Sequence, residues 1–523
     1  MPESHATHSP TEMVDTPYGR VRGARDGEIR VFKGIPYGAP TSGANRFRPP
    51  QPAAAWTGVR ECLRYGETAP QSPGRLAEGG TSAQDRPVVG EDCLQLNVWT
   101  PAVGPGTRPV MVWLHGGGFE AGSGSRQLYD GANLCRRGDV VVVTINHRLG
   151  LFGHCFLGDL AGEEFSESGN VGFLDIVAAL EWVRDSIAQF GGDPDCVTIF
   201  GESGGGRKVS LAMASPAAQG LFHRGIVQSG SHLRLTARDD ATRLATILFE
   251  KVGLPVGDVA ALQALPIQDL IDANIAVQRE TGQRFTPVLD DAVFDAHPWD
   301  PVAPATSANI PLLVGTCRTE LSYFSFVAGE DTKSITDEDL PTRLARYLPA
   351  AVATEVIEVF RASNSHASPP ELYALISTAR TYWLDSLLQA ERKAQLGGAP
   401  VFAYRLMWRT PFRGGALFSP HTLDLPFMFD NVDKPDHVAG RPSADTAALA
   451  EAMSESWLAF ARTGDPNNQH VPAWAPYSLD RRTEMLFDAP LTVVDDPFRG
   501  ERATIEQLPT QQLGGGLLVR LPL

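Results

Sequence analysis

Two spacings of apolar residues alternate through the first half of the chain. Leu94-Gln95-Leu96-Asn97-Val98 alternates apolar with polar, the pattern of a half-buried strand. Residues 110–114 and 140–145 are short, unbroken apolar runs, which suit strands covered on both faces by helices. Phe173, Val177, Leu180, Val183 and Ile187 recur at steps of three and four, so they predict one face of a helix. Gly191-Gly192-Asp193-Pro194 would stop that helix, and residues 197–200 read as the next strand. Strand, helix, strand in this order predicts a parallel α/β sheet.

Later in the chain, residues 236–280 and 330–395 are mostly helical in pattern, with strand-like runs at 310–315 and 401–406. Neither helical stretch has linker-like flanks. Both read as insertions capping the sheet of a single domain over 13–523, behind a polar, frayed tail at 1–12. Residues 70–90, rich in Gly, Pro, Ser and Gln, read as a long surface loop.

Length and charge narrow the function. A chain of 523 residues can bury a large core. Its net charge of −16 argues against nucleic acid and anionic membrane as partners, since both call for clustered Lys and Arg. No apolar run is long enough to span a membrane. The first residues lack the basic start and apolar stretch of a signal peptide, which points to a cytoplasmic setting. The six cysteines, Cys62, Cys93, Cys135, Cys155, Cys196 and Cys317, have no metal-ligand spacing. They read as small buried thiols in a reducing compartment, with Cys62–Cys93 the one pair to test as a disulfide. No metal and no organic cofactor is implied, and oligomeric state is not encoded in any visible repeat or heptad.

The chemistry sits in two glycine-rich motifs. Gly201-Glu202-Ser203-Gly204-Gly205 follows a strand pattern and opens a helix pattern, the context of a nucleophile elbow. A sharp strand-to-helix turn crowds the backbone, so the flanking positions must be glycine. His115-Gly116-Gly117-Gly118-Phe119 directly follows the 110–114 strand. Consecutive glycines there let backbone N–H groups gather around a carbonyl oxygen, so the amides of Gly117, Gly118 and Gly204 form the expected oxyanion hole. His115 reads as structural. In this fold the acid and then the base follow the serine, each on a loop after a strand. Glu320, after the 310–315 run, is the acid candidate, with Asp290 and Asp291 in reserve. Of His366, His421, His437 and His470, only His421 lies on a loop shortly after a strand.

With these residues placed, nearly the whole chain resembles the type-B carboxylesterase/cholinesterase family. The matching stretches are Phe32-Lys33-Gly34-Ile35-Pro36-Tyr37, Phe47-Arg48-Pro49-Pro50 and Glu91-Asp92-Cys93-Leu94-Gln95-Leu96-Asn97-Val98. Next come the His115 motif, Asn146-His147-Arg148-Leu149-Gly150, and Phe190-Gly191-Gly192-Asp193-Pro194 leading into the elbow. Gly315-Thr316-Cys317-Arg318-Thr319-Glu320 and His421-Thr422-Leu423-Asp424-Leu425-Pro426-Phe427 complete the set.

The resemblance implies an α/β-hydrolase fold with a deep gorge. It also implies a triad of Ser203, Glu320 and His421, and ester hydrolysis on small to medium substrates. It further implies a helper serine at Ser229 and a salt bridge from Glu91 to Arg46. The same triad also serves acyl transfer and amide or carbamate hydrolysis, and some relatives are adhesion proteins without a working triad.

The chain departs from the family pattern in several places. Gly204 stands where the family usually has Ala. Arg207 and Lys208 place two cations in the first turn of the elbow helix, where they oppose the helix dipole. They are expected to point to solvent, with Glu202 as a supporting acid. The loop around 70–92 has no tryptophan to stack on choline, and the usual partner of Cys93 falls near Ala69. These departures point to a bacterial-style general esterase.

Overall fold

The structure is a computed structural model, and it describes residues 10–72, 88–435 and 437–511. The apolar runs form the middle of one large mixed sheet. Its parallel part runs, in spatial order, Val141–Ile145, Gly104–Leu114, Phe190–Glu202, Arg224–Gln228, Leu312–Cys317, Val401–Leu406 and Thr483–Phe487. Antiparallel strands Gln95–Thr100, Ile29–Pro36, Gly19–Asp26 and Pro10–Thr16 extend one edge, and Thr492–Asp495 closes the other.

The unbroken apolar runs have the predicted cause. Val110, Val112 and Leu114 pack into the core on one face, with Val141, Val143, Ile145 and Leu180. Met111 and Trp113, pointing the other way, pack into the second core with Val142, Phe200 and Trp457. The helix expected from Phe173 onward spans Val171–Ser186 and lies on the first face.

Some boundaries differ from the sequence reading. Residues 10–12, expected in the tail, belong to a strand whose register along Gly19–Asp26 runs back to Pro10. Gly191-Gly192-Asp193-Pro194 does not merely end a helix. It lies inside the strand Phe190–Glu202, whose Gly192 pairs with Arg108. The long loop expected near 70–90 lies mostly outside the described residues.

Helices occupy both stretches read as helical. Arg238–Val252 and Ile267–Thr281 pack on each other through Leu244, Leu248, Phe249 and Leu270. Ala350–Ser363, Pro369–Thr378 and Leu384–Leu396 build another cluster around Phe360, Leu372 and Trp383. The family-type salt bridge is present: Arg46 Nε and Glu91 Oε1 are 2.6 Å apart, with a second bond of 2.7 Å, and both side chains are buried. All six cysteines are free, Cys62 and Cys93 included. Among the described residues, no helix is long and apolar enough to cross a membrane.

Candidate active site

The chemistry-bearing residues follow the C-terminal ends of parallel strands, the end of an open α/β sheet where ligands bind. Ser203 follows the strand Phe190–Glu202 and precedes the helix Gly204–Ala214. Its backbone is at φ 58° and ψ −121°, a conformation that costs a non-glycine residue about 1–3 kcal/mol. The neighbours that permit it are glycines by necessity. A Cβ on Gly205 would lie 1.9 Å from the Leu114 carbonyl oxygen, and one on Gly201 would lie 2.4 Å from the carbonyl carbon of Gly205. Ser203 N–H donates to the Gln228 carbonyl at 2.8 Å, which ties the turn to the next strand. The Ser203 hydroxyl makes no capping bond to the helix that follows, and among the described residues it has no hydrogen-bond partner.

The glycine loop after Leu114 lies directly against this turn. Gly117 and Gly118 both have positive φ, 94° and 65°. A Cβ on Gly204 would meet the Gly118 nitrogen at 2.4 Å and its oxygen at 2.1 Å, so the two backbones touch. Among the described residues, the N–H groups of Gly117 and Gly118 have no protein acceptor. The N–H of Gly204, first in its helix, has none within that helix by construction. His115, expected to be structural, is enclosed beside this loop. Its ring is buried, stacks on His147 at 4.8 Å, and is held well below the ordinary imidazole value by burial and by the nearby Lys208.

Glu320 and His421 come together although they are 101 positions apart. His421 Nδ1 donates to Glu320 Oε2 at 2.5 Å. Glu320 is wholly buried, and its other oxygen accepts the Cys317 N–H at 2.7 Å and the Ser229 hydroxyl at 2.6 Å. On the far side of the imidazole, Nε2 is 3.1 Å from Glu202 Oε1. That contact is within ion-pair distance but is not aligned as a hydrogen bond, since the same oxygen has no hydrogen-bond partner. No hydrogen bond joins Ser203 to His421 among the described residues.

The electrostatics follow from this crowding. Burial pushes the Glu202 carboxyl up to about 8, and His421 draws it back part of the way. Burial alone would depress His421, but Glu202 and then Glu320 outweigh it and raise the imidazole to about 9. The two neighbouring acids therefore favour the imidazolium.

The reserve residues lie elsewhere. Asp290 is occupied by a turn: one oxygen accepts the N–H groups of Ala292, Val293 and Phe294, and the other accepts Asn170 Nδ2. Asp291 pairs with Arg238 at the surface. His366 is exposed, and His437 and His470 are half-buried.

One expectation is overturned. Arg207 and Lys208 do not reach solvent; they are 7% and 1% exposed. Every residue from Gly204 to Met213 is buried, so this helix has no wet face. Lys208 Nζ instead donates to the His115 carbonyl at 2.9 Å. Burial, and then Arg207, lower its ammonium to about 7.

Other residues around the imidazole escaped the sequence reading. Phe324, Tyr382 and Tyr323 place their rings 4.8, 5.1 and 6.2 Å from His421. Tyr323 and Phe324 follow Glu320 by three and four positions, a helical spacing that could have flagged them. Tyr382 sits in a single π-helical turn, Ala379–Trp383, and nothing local announces it. Asp424, buried within electrostatic range of both Glu320 and His421, accepts Gln228 Nε2 at 2.8 Å and the Tyr404 hydroxyl at 3.1 Å.

Comparison with known proteins places nearly the whole chain in one family. The model of the carboxylesterase family matches residues 10–505. A para-nitrobenzyl esterase of Bacillus subtilis is 36% identical over 497 residues, covering 94% of this chain and 98% of its own. A phenmedipham hydrolase of Pseudarthrobacter oxydans is 33% identical, covering 95% and 99%. Among solved structures, a Geobacillus stearothermophilus carboxylesterase superposes with a TM-score of 0.82 at 37% identity, covering 94% of this chain and 99% of that one. The chain belongs to the carboxylesterase family, with the α/β-hydrolase fold.

Proposed function

We propose that this protein is a serine carboxylesterase that cleaves small to medium carboxylic esters through an acyl-Ser203 intermediate. Glu320 and His421 complete the triad, and the N–H groups of Gly117, Gly118 and Gly204 form the oxyanion hole. The observation that carries this reading is the buried 2.5 Å bond between His421 and Glu320, beside a strained turn that leaves the Ser203 hydroxyl unengaged.

Each role follows from the geometry. A serine hydroxyl is a weak nucleophile until a base takes its proton. Nε2 of His421 is the nitrogen not committed to Glu320, so it is the one that accepts that proton. Glu320 holds the tautomer and stabilises the imidazolium. Ser229 and the Cys317 amide in turn hold Glu320, which supports a positioning role for Ser229. The catalytic hydrogen bond from Ser203 tightens when substrate arrives, as such bonds commonly do. Attack places negative charge on the carbonyl oxygen, and the acceptor-free amides of the glycine loop stabilise it. The alcohol leaves with the proton from His421. Water, activated by the same imidazole, then releases the acid and restores Ser203.

The buried free thiols support a reducing, cytoplasmic setting. The test is Ser203→Ala assayed with nitrophenyl esters of increasing acyl length. Folded Ser203→Ala protein should lose at least about 10⁴-fold in kcat. Substantial residual turnover, above all without fluorophosphonate labelling of the wild type, would overturn the assignment.

A further inference from the structure

One cluster beside the triad has no role in the chemistry just derived. Arg207 is one helical turn beyond Ser203, and its own N–H donates to the Ser203 carbonyl at 3.1 Å. Its guanidinium is buried, yet among the described residues it makes neither an ion pair nor a hydrogen bond. Two further buried polar groups lie within electrostatic range of it and also lack partners among the described residues. One is the Tyr382 hydroxyl; the other is the His232 ring, neither nitrogen of which is bonded. Tyr382 and His232 are 4% and 1% exposed.

The cluster borders the reacting centre on two sides. The Tyr382 ring packs on His421 at 5.1 Å. The His232 ring meets the edge of Phe119, next to Gly118, at 5.4 Å.

A buried cation without a counter-ion is costly, and a neutral ester would leave this one unpaired. A guanidinium, a phenol and an imidazole offer N–H and O–H donors, the set that binds a carboxylate. We propose that Arg207, Tyr382 and His232 form an anion subsite, and that the preferred substrates are monoesters of dicarboxylic acids whose free carboxylate docks there. Two other charged groups face Arg207. Lys208 adds to the positive field, while Asp385, which accepts the Thr510 hydroxyl at 2.5 Å, offsets part of it without closing to ion-pair distance. The reaction is ordinary hydrolysis: the ester C–O bond breaks, water supplies the new carboxyl oxygen, and a dicarboxylic acid and an alcohol result.

This inference rests on the esterase reading. Its test compares mono-nitrophenyl glutarate with nitrophenyl valerate on the full-length protein. The wild type should favour the acidic ester by about 10-fold or more in kcat/KM. Arg207→Met should collapse that preference toward one, chiefly through KM for the acidic ester, and Arg207→Lys should keep most of it. A wild-type preference for the neutral ester overturns the subsite without any variant, as does an unchanged preference in Arg207→Met. If Ser203→Ala abolishes both reactions while the preference is absent, only the subsite fails. If Ser203→Ala still cleaves both esters, the esterase reading itself falls.

Discussion

The two sides of His421 are built by opposite means. On one side stand the elbow and the glycine loop, where function is carried by backbone. Positive φ at Ser203, Gly117 and Gly118, and contacts too close for a Cβ at Gly201, Gly204 and Gly205, set every distance. On the other side stand Tyr323, Phe324 and Tyr382, where side chains from distant segments make the wall. The first side is fixed by short-range sterics and tolerates few residue types. The second is fixed by tertiary packing between side chains. Under the proposed roles, chemistry belongs to the first side and substrate choice to the second.

Experiments can break that division or sharpen it. The largest effect belongs to the base. His421→Gln should match Ser203→Ala, with at least about 10⁴-fold loss in kcat and a melting temperature close to that of the wild type. Near-normal turnover would move the base elsewhere. Glu320→Gln should cost about 10²–10⁴-fold through loss of tautomer control, whereas Asp290→Asn should lower stability more than turnover. The reverse pattern would mean that the acid has been misassigned.

A smaller loss tests the backbone side. Gly204→Ala introduces the residue the family usually carries, and here its Cβ would press on Gly118. The glycine loop must retreat, so kcat should fall by about 10-fold with KM little changed. Unchanged kcat would show that the amides are not set by that contact.

The smallest effect concerns pH. His421 must be neutral to accept a proton, so kcat/KM rises as pH passes its pKa, which its acidic neighbours hold above the ordinary imidazole value. Glu202→Gln removes one of the charges that stabilise the imidazolium. The acid limb of the pH profile should then move down by about one unit or more. An unmoved or upward-moving limb would remove Glu202 from the electrostatics of the base.

Legibility in the sequence follows the same division. The elbow, the glycine loop and the central strands could be read because each is a local pattern of a few residues with a steric or periodic cause. Glu320 and His421 could be ordered from strand ends, because the fold dictates their sequence order. The edge strands were missed. Ile29–Pro36 and Gly19–Asp26 are interrupted by charge and glycine, so their pairing depends on neighbours that no local window contains. Arg207 and Lys208 were misjudged because the first turn of an isolated helix favours hydrating cations, whereas this helix is enclosed on every side. Tyr382 depends on a π-helical turn and on a helix that meets the site from 179 positions downstream of Ser203, and no residue near it in the chain encodes that meeting.

The bond from Lys208 to the His115 carbonyl joins the helix that follows Ser203 to the start of the glycine loop. A single buried side chain thereby ties the proposed nucleophile and the proposed oxyanion hole into one mechanical part. Under the proposed roles, drift of either segment would strain that bond, so catalytic alignment is coupled to the centre of the sheet.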